Sequence, residues 1–351
     1  MMCMRTYPKP DGKSIGSGRR RPGPPDDGLV DPPGFFTGVC VAIGGPVGYL
    51  FIPDRNDTTM TNRTFRHAVT GYAFLLPGIA GLALFTLLPI LFSLIISFFD
   101  WDLFAGPVFV DTANYRGILA SGGSEFWRQA GNSLFFLLIV PLQMILALLA
   151  ACLLNENPRG SLLFKVLFFV PVVLSVVPVA IIWGYILDTE HGLMNGLLAV
   201  LGAGKIAWLY DPSWVKWGIS LMAVWQGSAF STIIYFAALQ GIPDHLYEVA
   251  TLDGAGRWRQ FLSITFPLLL PTHVFLGVTG AIGALQLFAP IQVMTHGNAG
   301  GAHTLIIELY SKAYQEFQMG HAAALSWMLF LLILLVSAVY WRFFSRRDAY
   351  A

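Results

Sequence analysis

Charge is scarce in this chain of 351 residues, since Asp, Glu, Lys and Arg make up only 12% of it. Soluble domains carry about 25% of these residues and about 45–50% apolar residues, whereas 55% of this chain is hydrophobic. The composition therefore argues against a water-soluble fold. A formal net charge of +1 provides no basic surface for nucleic acid, so we expect no nucleic-acid partner.

Cysteine is scarce as well. The three cysteines, Cys3, Cys40 and Cys152, lie far apart and form no Cys-x-x-Cys pair. The sequence therefore predicts neither a zinc site nor a disulfide framework, and we expect no metal ion and no cofactor.

A nucleotide-binding signature is also missing. Residues 12–14 and 204–205 resemble parts of a phosphate loop, but Tyr7 and Ala199 stand where its first glycine is required. No nucleophile, base and orienting residue occur at a recognisable spacing, which argues against a membrane enzyme. We expect no catalytic residues.

Long apolar runs are abundant instead. A bilayer core about 30 Å thick requires about 20 mostly apolar residues per helix, and lipid cannot satisfy free backbone groups. We predict an all-α polytopic membrane protein with six transmembrane helices, at 72–98, 131–154, 162–187, 217–240, 269–294 and 322–341. Internal prolines and glycines indicate packed, partly kinked helices.

Acidic residues are absent from all six predicted spans. Ion-coupled carriers commonly place ionisable groups inside the membrane, so the energy for any transport is expected from outside this chain. The alternative to transport that is energised from outside the chain is an ion-coupled secondary carrier or a channel. We interpret His273, the only histidine deep in a predicted span, as a hydrogen-bonded packing residue near the cytoplasmic end rather than a proton relay or metal ligand.

Basic residues are distributed asymmetrically. With the first N-terminus inside, the outer segments carry five of them, Arg116, Arg128, Lys205, Lys216 and Lys312. The cytoplasmic segments carry nine, which are Arg63, Arg66, Arg159, Lys165, Arg257, Arg259, Arg342, Arg346 and Arg347. By the positive-inside rule we expect a multi-pass membrane protein with both termini in the cytoplasm.

The first 59 residues differ from the rest. Residues 1–31 are rich in Gly, Pro and Arg, and we expect residues 1–59 to be a disordered or untranslated extension. The weak apolar segment at 35–52 contains too many glycines for a good helix. It could be a seventh span, a cleaved signal or a sequence that is never translated. We favour the last, because Met60 opens a short basic segment before the first strong span. Residues 60–351 form the predicted membrane domain.

A cytoplasmic loop at 241–268 carries a distinctive pattern. Pro243 suits the first turn of a helix, and Leu246, Val249 and Ala250 recur at helical spacing. Asp253-Gly254 is typical of a left-handed turn after that helix. A second helical stretch is expected at 258–266, up to Pro267, so the loop is predicted to be a helix-turn-helix parallel to the membrane.

This loop resembles the "EAA" motif of binding-protein-dependent importer permeases. The residues that carry the resemblance are Glu248, Ala250, Asp253, Gly254, Ala255 and Pro267, with Val249 in place of the first alanine. An ordinary amphipathic interfacial loop explains the periodicity but not the combined pattern. The resemblance implies that these six residues couple the chain to a cytoplasmic ATPase.

Two outer segments, at 102–116 and 319–327, are similar to the carbohydrate-uptake branch of that family. Within this branch, the chain resembles the first permease subunit of importers of the maltose and glycerol-3-phosphate type. Residues 296–301 depart from its usual pattern. The resemblance implies a six-helix importer permease of a bacterial-type inner membrane that translocates a sugar or related solute. It also implies four kinds of partner: a second homologous permease, a dimer of ABC ATPase subunits, an extracytoplasmic binding protein and membrane lipid.

The predicted solute path lies on the spans that flank the loop. In the fourth span, Trp225, Gln226, Gly227 and Phe230 combine a polar group, aromatic faces and a gap, which suits a sugar. In the fifth span, Gln286 is an isolated polar residue. An interhelical hydrogen bond, worth about 0.6 kcal/mol on average, is the alternative role for both glutamines, and the family resemblance favours solute contact.

Overall fold

The computed structural model describes residues 38–42, 49–53, 63–120, 123–156 and 161–344. The chain forms two units, residues 1–77 and 78–351. In the first unit, strands β1 (Gly38–Ala42) and β2 (Tyr49–Pro53) pair antiparallel, with Gly38 opposite Pro53. The apolar segment at 35–52 thus contains two strands instead of a helix. Most of 1–59 lies outside the described residues, and its assignment as an extension stays a prediction.

The rest of the described chain is almost entirely helical. Two short strands, β3 (Phe99–Asp100) and β4 (Val108–Phe109), pair antiparallel. The helices are α1 (Arg63–Leu82), α2 (Leu88–Ile96), α3 (Ala113–Ala120), α4 (Gly123–Phe135), α5 (Ile139–Asn155), α6 (Ser161–Val173), α7 (Val176–Ile186), α8 (Leu193–Val200), α9 (Val215–Gln240), α10 (Asp244–Leu252), α11 (Arg257–Gln260), α12 (Phe266–Leu268), α13 (Leu270–Leu285), α14 (Ala289–Met294), α15 (Leu305–Tyr310) and α16 (Met319–Phe344).

Four helical segments of the described chain are long and apolar enough to cross a bilayer, namely Thr70–Ile96, Glu125–Asn155, Val215–Gln240 and Met319–Phe343. They correspond to the first, second, fourth and sixth predicted spans. A fifth candidate is the pair Arg257–Leu268 and Leu270–Leu285, which is bent by 63°.

The third and fifth predicted spans are each divided. The segment predicted at 162–187 breaks between α6 and α7, where Ser175 is extended. The segment predicted at 269–294 breaks between α13 and α14. Each break lies just before a proline, Pro178 or Pro290. Because proline has no N–H for the carbonyl four residues earlier, it frees the carbonyl oxygens of Leu174 and Gln286.

Proline also explains two wide helical turns. The π-helical turns at Ala83–Leu87 and Phe261–Thr265 are followed two residues later by Pro89 and Pro267. Adding a residue to the preceding turn relieves the clash between the proline ring and the earlier carbonyl. The helix therefore continues past Pro89 to Ile96, whereas past Pro267 it ends at Leu268, before the 63° bend.

Two apolar clusters hold the helices that matter for function. One lies among α5, α7, α9 and α14, around Phe136, Ile219, Met222 and Ile291. The other, the loop cluster, joins the ends of α5, α9 and α13 that face the loop at 241–268 to that loop, and its members include Tyr235, Leu239, Leu269 and Leu276. The loop is thus anchored on the same helices that carry the predicted solute path.

Candidate coupling loop and solute cleft

The loop at 241–268 begins with helix α10. Pro243 is extended and immediately precedes the helix. Asp244 lies in the first turn, where the helix dipole stabilises a carboxylate. Leu246 packs against the loop cluster, around Leu239 and Leu269. Val249, however, is 54% exposed and Leu252 is 87% exposed, so the predicted apolar face is only partly covered. Glu248 is also exposed on this helix.

Gly254 forms the turn that follows α10. Its φ is +77°, a conformation that costs an L side chain roughly 1–2 kcal/mol. The turn is closed by backbone N–H groups of Asp253, Gly254 and Ala255, and the last donates to Ala250 O at 2.9 Å. A side chain at position 254 would meet no atom within 4 Å, so glycine is required here by backbone conformation and not by crowding.

Side-chain hydrogen bonds connect the second helical arm of the loop, residues 257–268, to α10. Gln260 Nε2 donates to Thr251 Oγ1 at 2.9 Å and to Ala255 O at 3.0 Å. The hydroxyls of Tyr247 and Thr265 lie 2.9 Å apart. Pro267 lies in α12, at the end of this return path. The two arms therefore form a fixed helix-turn-helix, as the sequence predicts.

An aromatic series leads from the loop into the membrane. The rings of Trp258 and Phe261 stack at 5.7 Å, and Phe266 lies 4.7 Å from the His273 ring. His273 Nδ1 and the Tyr235 hydroxyl are 2.6 Å apart and buried. His273 is thus a buried, hydrogen-bonded residue in the first turn of α13, and its position near the cytoplasmic end stays a prediction.

A cleft of about 610 Å³ lies where the two divided spans meet α9. It is lined by Pro171, Val172, Val176, Ala223, Gln226, Gly227, Phe230, Gly283, Gln286, Leu287, Phe288, Ala289 and Pro290. Both helix breaks contribute to it, so the prolines that interrupt the spans also shape the cleft.

The cleft brings together four of the five predicted path residues, Gln226, Gly227, Phe230 and Gln286. Gln226 Nε2 lies 3.4 Å from Leu174 O, the carbonyl freed at the first break. Trp225 is not among the lining residues; its ring lies 5.8 Å from that of Trp183. The arrangement offers two amides and an aromatic face in one space.

The sequence reasoning overlooked Gln143 on α5. Its side chain is 9% exposed and lies against Gly227 and Gly280. An amide in the middle of an apolar span was the available signal, because such residues are costly in lipid and mark polar interiors.

The two segments whose motifs resemble the carbohydrate-uptake branch, 102–116 and 319–327, are held close together by hydrogen bonds and a close backbone approach. Asn114 Nδ2 donates to Ser97 O and Phe99 O, each at 2.9 Å. A side chain on Gly320 would collide with Phe99 O, and Gly320 N donates to Trp101 O at 3.3 Å. These residues therefore fasten the first outer loop to the start of α16.

A polar cluster between α4 and α15 also went unrecognised. Glu308 Oε2 lies 2.9 Å from His303 Nε2 and accepts a hydrogen bond from Gln129 Nε2 at 3.2 Å. The hydrogen bond with His303 and the nearby Lys312 ammonium hold the pKa of the Glu308 carboxyl below its usual range, although burial opposes the shift. The loop at 296–301, which departs from the usual pattern of the family, lies beside this cluster in sequence. Within it, His296 has a φ of +50°.

The family model described as "binding-protein-dependent transport system inner membrane component" matches residues 143–347. The chain belongs to this family. The permease is 32% identical over 292 residues to the probable ABC transporter permease protein YesP of Bacillus subtilis, with 80% of this chain and 94% of that protein covered. It is 32% identical to the trehalose/maltose permease MalF of Thermococcus litoralis, with 81% and 97% covered. It is 33% identical to the lactose permease LacF of Rhizobium radiobacter, with 80% and 95% covered.

The permease fold has a solved counterpart. A crystal structure of a bacterial ABC transporter involved in alginate import matches with a TM-score of 0.69 and 23% identity, covering 82% of this chain and 98% of that one. The chain is thus a multi-pass inner-membrane permease subunit of an ABC importer. It is not an enzyme, and a separate subunit hydrolyses ATP.

Proposed function

We propose that this permease translocates a sugar or a related hydroxylated solute delivered by an extracytoplasmic binding protein. The observation that carries the proposal is the cleft at the two helix breaks, with Gln226, Gln286 and Phe230 in its wall. Amides hydrogen-bond hydroxyl groups, and an aromatic face stacks on a sugar ring. The volume of about 610 Å³ lies within the range of small-molecule sites, roughly 300–1,000 Å³.

The names of two relatives support the same solute class. The Thermococcus litoralis protein is a trehalose/maltose permease and the Rhizobium radiobacter protein a lactose permease. Trehalose, maltose and lactose are therefore the first solutes to test.

The ATPase dimer docks, in this proposal, on the loop at 241–268. Glu248, Ala250, Asp253, Gly254, Ala255 and Pro267 are the proposed coupling residues. Besides Glu248, the loop exposes five large apolar side chains, Val249, Leu252, Trp258, Leu262 and Phe266. Exposed apolar side chains on the same loop as an exposed carboxylate fit a protein partner better than water. This docking places the loop, and both chain termini, in the cytoplasm.

The test is reconstitution. The complex, purified through a tag on this chain, is placed in vesicles with internal ATP, and uptake of labelled maltose, trehalose and lactose is measured. We expect uptake of at least one sugar that requires both ATP and the binding protein. Uptake driven by an ion gradient without ATP would contradict the proposal and favour a secondary carrier.

A variant tests the cleft itself. Gln226→Ala removes one amide, and we expect at least a fivefold loss of uptake by a complex that still assembles. Gln318→Ala is the matched control, because Gln318 is exposed and lies outside the cleft. If Gln226→Ala blocks assembly or leaves uptake unchanged, Gln226 is a packing residue and the cleft assignment fails.

A further inference from the structure

Gln143 is a buried amide in the middle of an apolar helix. It lies in the span Glu125–Asn155 and is 9% exposed. Within the described residues its side chain makes no hydrogen bond to another group. Its polar atoms are not fully enclosed, but an amide left without a partner beside lipid is costly. A purely structural role would be filled better by an apolar side chain of the same size.

Two glycines make the space that Gln143 occupies. A side chain on Gly227 of α9 would collide with Gln143 Oε1, and a Cβ on Gly280 of α13 would lie 2.9 Å from Gln143 Nε2. The amide therefore fills a gap among α5, α9 and α13 that exists only because both positions lack side chains.

One of these glycines also lines the solute cleft. Gly227 stands next to Gln226 in the cleft wall, so only a glycine separates the Gln143 amide from the cleft. No side chain at position 227 blocks the way. Gln143 itself is not among the lining residues, so its amide reaches the cleft only if α5 moves against α9.

We propose that Gln143 is a third solute-binding amide, which reaches the solute past Gly227 during transport and contributes to solute selection. The inference rests on the proposed cleft. It supplies the buried amide with the hydrogen-bond partner that the described chain does not provide, namely a hydroxyl group of the solute.

Substitution separates binding from packing. Gln143→Met keeps the length of the side chain and removes the amide. We expect about a tenfold rise in the half-saturation concentration for uptake of maltose, trehalose or lactose, whichever the wild-type complex transports. Leu146→Met on the exposed side of the same helix is the control and should leave that concentration unchanged. An unchanged value for Gln143→Met in a complex that assembles normally would overturn the inference.

Cysteine accessibility tests the inference without a known solute. In a complex whose other cysteines in this chain are replaced by serine, Gln143→Cys and Gln226→Cys are each treated with a charged, water-soluble thiol reagent during ATP hydrolysis. Ile145→Cys is the lipid-facing control, because Ile145 is exposed and lies two residues from Gln143 on the same helix.

The outcomes distinguish this inference from the cleft proposal. We expect positions 143 and 226 to react during turnover and position 145 to remain unmodified. Reaction at 226 but never at 143 overturns the role of Gln143 and leaves the cleft intact. Absence of reaction at 226 overturns the cleft proposal, and this inference with it.

Discussion

At the scale of single residues, Gly254 is the position where the proposed docking depends on backbone conformation. Its positive φ excludes most side chains on conformational grounds, while the space around it is open. Asparagine tolerates this conformation better than β-branched residues do. We expect Gly254→Asn to retain most of the stimulated ATP hydrolysis and Gly254→Val to lose at least tenfold. Equal activity of the two variants would show that the turn is not needed for coupling.

Glu308 provides a prediction about pH. Its folded-state pKa is lowered by the hydrogen bond with His303 and by Lys312 and His321 nearby, so its ionised form stabilises the fold. This contribution is complete above the usual glutamate pKa of about 4.3, and it is lost as the pH falls through the lowered value.

The measurement compares thermal unfolding midpoints of wild type and Glu308→Gln in detergent. We expect wild type to be more stable from pH 7 down to about 4, and the difference to shrink only as the pH falls below about 4. Glu316→Gln is the control, since it removes an exposed carboxylate that also lies beside Lys312. A difference that grows on acidification would contradict the assignment.

Residues differ in how far the sequence could predict them. Asp253-Gly254 predicts its own turn, because the requirement is local. Gln143 could not be understood in this way, since its meaning depends on Gly227 and Gly280, which lie on two other helices. Trp225 carries the opposite lesson: it is adjacent to Gln226 in sequence, yet it packs against Trp183 and not in the cleft.

At the scale of elements, the two divided spans combine structure and function. The apolar pattern of the sequence predicts that 162–187 and 269–294 are helical, but hydropathy alone cannot show where each helix breaks. The prolines mark the breaks only in retrospect, because Pro77 and Pro171 lie inside continuous helices. What distinguishes Pro178 is that Gln226 of α9 lies within reach of the carbonyl it frees.

Closing one break should therefore remove part of the cleft. In Pro178→Ala the new N–H can donate to Leu174 O, which restores helical hydrogen bonding across the break. We expect uptake to fall at least fivefold in a complex that assembles normally. Pro77→Ala, in the interior of α1, is the control and should retain uptake. Full uptake by Pro178→Ala would show that the break is not required for transport.

At the scale of the whole molecule, the distribution of buried residues indicates what surrounds the permease. The candidate span Thr70–Ile96 has a mean hydropathy of 2.6, and none of its apolar window is buried, whereas 56% of the window in Val215–Gln240 is buried. The low polarity of the chain predicts lipid around it. It does not reveal which apolar faces meet lipid and which meet protein, because both surroundings select the same side chains.

Heteromeric assembly is the prediction that belongs to this scale. We propose that this chain supplies one coupling loop to an ATPase dimer with two equivalent docking positions, so a second permease must supply the other loop. The resemblance to a first-subunit type favours a different, homologous chain over a second copy.

Two differently tagged copies of this permease, expressed together with its transport partners, should therefore not purify together. The complex retrieved through either tag should contain one copy of this chain, one other permease and two ATPase subunits, as counted by native mass spectrometry. ATP-coupled uptake by a complex with two copies of this chain and no other permease would refute the prediction. If a mixed complex is retrieved but its uptake survives Gly254→Val here, then the partner's loop alone suffices for coupling, and the requirement for two loops fails.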